Sequence, residues 1–316
     1  MRRLLAVVAA AAMVAGSIAI RSRLDRREED RTNPLRVVCA AELAPACDAL
    51  RRTSAQVTVQ PAPVTADRLG REETPEIDGW LAPAPWPQIV DGRRRPRGLL
   101  PLFADVSPPL ARSPLVIVMS RAVADRCASG WKCLGEAVPR NQARPGHPDP
   151  KDNGFGALIA AQAAASYFGR TTDLSTTDLD NPGFEAWFRA LQRATPPLIS
   201  GSSLLNEMLG TNFAVYDAVG TIEAEAAPTL AVSAVQNRVT LLYPEPMATV
   251  DVVLAGSGSR LREVAGGDTV RKALADAGWR TGAGATQTGP PIPPANGLPS
   301  PGFIDAVRSR AEEVRR

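Results

Sequence analysis

The chain has 316 residues, of which 44% are hydrophobic and 22% charged. This balance excludes a disordered or fibrous chain and argues for two domains or one large α/β domain. The formal net charge of +3 gives no electrostatic footprint for nucleic acid.

The N-terminus reads as an export signal. Met1-Arg2-Arg3 is followed by an uncharged run from Leu4 to Ile20 and then by a charged stretch from Arg21 to Arg31. Residues 1–20 therefore read as a signal peptide or a short signal anchor, and 21–33 as a charged linker. Ser17-Ile18-Ala19 offers small residues for cleavage, whereas the arginines beyond it oppose cleavage. Either outcome places the rest of the chain outside the cytoplasm, secreted or anchored to the outer face of the membrane through the N-terminal segment.

Leu35–Cys39 reads as a buried strand, Glu42–Arg52 as a helix with Leu43, Ala46, Cys47 and Leu50 on one face, and Gln56–Gln60 as an alternating strand. A short helix capped by Thr65 and a strand at Ile77–Leu81 follow, then a Pro/Trp loop through Pro87. This β-α-β-α-β order predicts a parallel sheet flanked by helices. Arg93-Arg94-Arg95-Pro96-Arg97 reads as a solvated loop, and residues 91–113 as irregular. Pro114–Ser120 is continuously apolar, as expected of a strand buried on both faces.

His147–Gly156 is a turn-rich loop opening a small-residue helix that runs to Phe168 and stops at Gly169. Asp152 and Asn153 are alternative caps for it, and its first amides offer an anion site. Asn181–Arg193 predicts a helix with a core stripe of Phe184, Trp187, Phe188 and Leu191. Ser202–Leu209 predicts a short amphipathic helix and Phe213–Val219 a strand. Strands at 238–243 and 249–254 and helices at 269–277 and 301–316 complete the pattern, with a Gly/Pro-rich connection over 282–301.

The four cysteines form two close pairs, Cys39/Cys47 and Cys127/Cys133, and local disulfide pairing is the simplest of three pairings. Their spacing and the single His147 leave no metal site, and no cofactor motif is present. His147 reads as an exposed loop residue, and a His-based triad has only this one imidazole to draw on. No nucleophile elbow occurs, so the chain reads as a non-enzyme.

Several strings, in this order, resemble those of type 2 periplasmic solute-binding proteins, nearest the molybdate-type extracellular subgroup. They are Ala40-Ala-Glu-Leu-Ala-Pro45, Asp78-Gly-Trp-Leu-Ala-Pro83 with Trp86, the hinge-like Ala111–Ser120, Trp131-Lys-Cys-Leu134, His147-Pro-Asp-Pro with Asn153-Gly154, Tyr216–Glu223 and Thr240–Glu245. The resemblance spans about residues 34–285. It implies an α/β, two-lobed fold, each lobe a mostly parallel sheet flanked by helices. Residues 34–112 plus about 244–316 would form lobe 1, and 113–243 lobe 2. It further implies a small polar ligand in an interlobe cleft and an ABC-type membrane transporter as partner. A degenerate fold serving an envelope protein is the alternative, and an unrecognised hydrolase a second. Candidate ligand contacts are Ala41, Glu42, Trp80, Asn153, Gly154, Thr221 and Glu223. Glu223 and Glu225 read more readily as a solvated helix face than as ligand contacts. If Glu42 and Glu223 both face the cleft, a cationic or polyol ligand fits better than an oxyanion.

Overall fold

In a computed structural model, residues 34–103, 105–195, 203–282, 290–292 and 297–315 are described. The expected signal segment and linker lie outside them, as does most of the 282–301 connection. Among the described residues no helix is long and apolar enough to cross a membrane.

The first sheet is built from β1 (Arg36–Ala40), β2 (Gln56–Gln60) and β3 (Gly79–Pro83). They pair in parallel, with Val37 opposite Val57 and Val38 opposite Trp80. Parallel pairing requires crossovers, supplied by α1 (Ala44–Arg51) and α2 (Ala62–Leu69). β8 (Thr249–Ala255) then pairs antiparallel with β3.

β4 (Ala111–Ser120) joins the two halves. Its first part, Ala111–Pro114, pairs with β8, and Leu115–Met119 pairs with β6 (Ala218–Ile222). Ile117–Ser120 pairs with β7 (Val239–Leu242) on its other side. Nine of its ten residues are buried, as its apolar run requires. β4 runs outward from the crossing and β6 and β7 return beside it, so most pairing in the second sheet is antiparallel. Only the short β5 (Pro145–Gly146) lies parallel to β6, which differs from the mostly parallel sheet expected there.

The helices refine the sequence expectations. The Trp86 segment, expected as a loop, forms α3 (Trp86–Arg94), and the irregular stretch begins only after it. Pro87 sits in its first turn, where a missing N–H costs nothing. α2 likewise starts at Ala62 with Pro63 in its first turn, so Thr65 lies inside the helix rather than capping it. Behind β4 follow α4 (Arg121–Ala124), α5 (Trp131–Ala137), α6 (Gly154–Phe168), α7 (Pro182–Arg193) and α8 (Leu204–Gly210). β6 starts at Ala218, not at Phe213, which occupies a left-handed turn at φ 67°. After it come α9 (Glu223–Ala231), α10 (Ser259–Ala265), α11 (Asp268–Asp276) and α12 (Pro301–Arg315). No apolar stripe announced α10.

α6 is buried over thirteen of its fifteen residues, which explains why its sequence is apolar all round. Asn153 caps it, its side-chain oxygen accepting from the Gly156 amide at 3.0 Å, and Gly169 ends it at φ 67°. α12 packs on α6 and α7 of the second lobe and on α3 of the first. Phe303, Ile304, Val307 and Ala311 bury its inner face. One hydrophobic cluster, including Leu43, Trp86, Ala157, Ile159 and Ile304, runs continuously through both lobes. Both disulfides form as locally paired, Cys39–Cys47 fastening β1 to α1 and Cys127–Cys133 closing the loop before α5.

Candidate functional site

Two helices, one from each lobe, begin at the same place. The chain leaves β2 at Gln60 and starts α2 at Ala62; in the second lobe the loop after His147 starts α6 at Gly154. Each start exposes amides with no intrahelical acceptor and a positive dipole end. Between them stands Glu42, delivered by the 3-10 turn Ala41–Leu43 that follows β1. The Ala62 amide donates to both carboxylate oxygens at 3.1 and 3.2 Å, and the Gly154 amide donates to Oε1. A Cβ placed on Gly154 would meet Glu42 Oε1 at 2.9 Å, Trp86 Nε1 at 2.9 Å and Ala62 Cβ at 3.0 Å. Only glycine lets the second lobe come so near the first.

Burial pushes the Glu42 carboxyl up from its ordinary range. The amides of Gly154 and Ala62 pull the other way by favouring the charged form, and Asp152 adds to the rise. Trp86 is fully buried and its indole N–H has no hydrogen-bond partner among the described residues. An unpaired buried donor is costly and points to a missing polar partner. Gln60 Oε1 and the Thr65 hydroxyl, from the same β2–α2 corner, are likewise buried without partners among the described residues.

The rest of the interlobe boundary is tied by ring packing and ion pairs. Phe155 of α6 meets Trp279, which follows α11, at 6.0 Å between ring centroids. Arg308 of α12 is 3% exposed. It donates to Asp67 of α2 at 2.8 Å through each terminal nitrogen, to the Pro150 carbonyl of the α6 loop at 3.2 Å, and lies over the Trp86 ring at 5.9 Å. Burial of Asp67 raises its carboxyl, but Arg308 and Arg93 outweigh this and hold it at about 2. Arg93 bridges Asp67 to Asp305 of α12. The basic run is thus not a solvated loop over its first half. Arg94 is 3% exposed and donates to the carbonyls of Leu69, Glu72, Glu73 and Leu100.

The other candidate residues are distributed. Ala41 lies in the turn that carries Glu42. Trp80 lies in β3, fully buried against Phe103 at 5.8 Å, with its N–H unpartnered among the described residues. Thr221 donates to Glu225 at 2.5 Å within β6 and α9. Glu223 is 4% exposed, not part of a solvated face. It accepts from Arg280 Nε at 2.7 Å and NH2 at 2.5 Å, and from the Tyr243 hydroxyl at 2.5 Å. Burial and Glu223 push the Tyr243 hydroxyl well above its usual range. These three groups fasten the β6–α9 corner where β4 crosses between lobes; Arg280 and Arg112 of β4 exchange backbone hydrogen bonds there.

His147 is 1% exposed, not an exposed loop residue. Its Nδ1–H donates to the Pro148 carbonyl at 2.9 Å and Nε2 accepts from Arg315 at 3.2 Å, which fixes a neutral imidazole. Burial first, and then Arg315, press its pKa down to about 3. Trp86 stood in one of the resembling strings but not among the candidate contacts, and Ala62 and Arg308 were not singled out from sequence. The Pro61-Ala62-Pro63 start was a readable helix signal for Ala62; Arg308, one of many arginines, carried no signal.

The sequence matches no family model and no curated protein. The fold does match solved structures. A periplasmic thiamin binding protein superposes with a TM-score of 0.59 at 11% identity, over 89% of this chain and 96% of that one. Iron-bound HitA from Pseudomonas aeruginosa gives 0.54 at 15% over 89% and 99%, and a ferric binding protein from Campylobacter jejuni 0.53 at 12% over 89% and 97%. At such identities the likeness establishes the architecture: this is the α/β fold of two-lobed periplasmic binding proteins.

Proposed function

We propose that this chain is an extracytoplasmic solute-binding protein that holds a small polar ligand between its lobes and catalyses no reaction. One observation carries the reading: two helix starts, one per lobe, aim their amides at a single buried point beside an unpartnered indole N–H. Such a convergence is what a cleft protein needs to sense closure. The fold shared with thiamin- and iron-binding proteins supports it. The neutral, locked state of His147 is consistent with a protein that performs no acid–base chemistry.

Glu42 already occupies the amides, so an oxyanion would have to displace it. A ligand carrying an ammonium or hydroxyl groups would instead donate to the free face of the Glu42 carboxylate, and the Trp86 indole would serve one of its acceptors. We therefore favour an amine or polyol class, an N-terminal segment that exports or anchors the chain, and a membrane transporter as the receiving partner. The molybdate-type subgroup is proposed on the sequence strings alone. Thermal-shift screening of the full chain against amines, polyols, carboxylates and oxyanions tests this, since a ligand bound only by the folded form raises the melting temperature. A shift with amines or polyols supports the reading; a shift confined to oxyanions overturns the ligand class.

A second reading is favoured by the Glu42 contact itself and by the Arg308 tie. A cleft filled by its own side chains suits a lobe pair that has become a protein-interaction module of the envelope. Silence across the whole panel selects it.

A further inference from the structure

A cavity of about 530 Å³ lies at the outer end of β4, away from the Glu42 site. Three chain segments bring four arginines to it: Arg121 and Arg126 from the start and end of the α4 segment, Arg144 before β5 and Arg238 before β7. Asp217 is the one carboxylate among the described lining residues. It is already used, accepting from the Arg144 amide at 2.7 Å and pairing with the Arg144 guanidinium at 3.2 Å. The other three guanidiniums have no carboxylate among the described residues. Arg126 donates to the Gln142 carbonyl at 3.0 Å, and Arg238 to the Asn212 side-chain oxygen at 2.6 Å. The Arg121 side chain is exposed and makes no ion pair or hydrogen bond among the described residues.

The backbone around this cavity is strained. Four described non-glycine residues have positive φ, and three of them are Asn141 at 55°, Asn212 at 51° and Phe213 at 67°. Asn141 and Phe213 line the cavity, and Asn212 holds Arg238. A left-handed phenylalanine is unfavourable and persists only where its surroundings fix it. Here its carbonyl takes Arg144 at 2.8 Å and its ring lies under Arg238 at 5.1 Å, so the strained turn sets the position of two of the four arginines.

We propose that this cavity binds a phosphate ester. Three uncompensated guanidiniums call for more than one negative charge, and a phosphate monoester brings about −1.5 to −2 at neutral pH with three acceptor oxygens. Guanidinium forks match those oxygens in pairs. The volume leaves room for an organic body, whether that of a soluble metabolite or the headgroup of a lipid at the membrane face.

Calorimetric titration of the full chain with pyrophosphate tests the proposal, alongside the Arg121→Gln/Arg126→Gln variant. Both side chains are exposed, and an unchanged melting temperature of the ligand-free variant verifies its fold. The expected result is binding that weakens as salt rises and that falls about tenfold or more in the variant. Absence of binding, or equal binding by the variant, overturns it. Co-sedimentation with phosphatidylcholine vesicles containing phosphatidic acid separates the two sources. Sedimentation lost in the variant assigns a lipid headgroup; pyrophosphate binding without variant-sensitive sedimentation assigns a soluble ester.

Discussion

Glu42 and Gly154 are 112 residues apart and belong to different lobes, yet the Gly154 amide donates to the Glu42 carboxylate. That bond, with the Ala62 amide on the same carboxylate, makes lobe closure depend on a few atoms. Gly154→Ala puts a methyl against Glu42, the Trp86 indole and Ala62. Glu42 can rotate away, but the packed indole and Ala62 cannot. The gain in helix propensity, at most ~1 kcal/mol, is outweighed by overpacking of about 1–3 kcal/mol. A lower urea midpoint and a larger radius of gyration by X-ray scattering are expected; an unchanged radius would show that the lobes need not meet there.

The corner formed by Glu223, Arg280 and Tyr243 is a buried ion pair with its spare oxygen satisfied. Removing one partner leaves an uncompensated buried charge, so Arg280→Met is expected to cost about 3–5 kcal/mol. Replacing both, with Arg280→Met and Glu223→Leu together, is expected to cost less than the single change, because no charge is stranded. Equilibrium urea unfolding of the three chains measures this, and a double variant worse than the single one would contradict it.

Much of this architecture was legible beforehand. The strands at β1, β2, β4 and β8 announced themselves through Val-rich runs, and α6 through the Asp152-Asn153 capping signal and its Gly169 stop, because these are local signals. The β-α-β order gave the first lobe. What escaped was non-local. α3 hid behind Pro87, which breaks a helix interior but not a first turn. The antiparallel neighbours of β4 follow from a strand that crosses between lobes, which periodicity does not report. In the site, Glu42 and Gly154 were visible as a loop residue and a helix start. Their contact, and the indole of Trp86 beside it, depend on how the lobes meet.

His147 sets a pH dependence of stability. Its pKa is about 3 in the folded chain and about 6.5 when unfolded. The unfolded state therefore takes up a proton between these values that the folded state refuses. Its contribution is fully present above pH ~6.5 and declines toward pH ~3 by up to about 1.4 kcal/mol per unit. It is the only histidine in the chain, and Asp67, held at about 2 when folded and about 3.9 when unfolded, adds a parallel loss only at the acid end of this window. Urea midpoints at neutral and mildly acidic pH are expected to fall less for His147→Gln than for the parent chain. Parallel behaviour of the two would contradict this assignment.

Arg308 ties α12 to both sides of the cleft through Asp67 and the Pro150 carbonyl. Arg308→Ala strips these contacts and leaves Asp67 with Arg93 alone, at an expected cost of about 2–4 kcal/mol. Amide exchange of the Pro150–Gly156 loop, which reports local opening, is expected to accelerate more than that of the β4 core. Uniform acceleration would mean that the arginine supports global stability only.

The most direct measurement is a side-by-side melting panel of the parent chain and Trp86→Phe against amines, polyols, carboxylates and oxyanions. Trp86→Phe removes the unpartnered indole N–H while keeping an aromatic body. The account predicts that an amine or polyol raises the melting temperature of the parent chain and that the rise shrinks in the variant. No rise with any class, or an equal rise in both chains, would contradict a ligand site between the lobes.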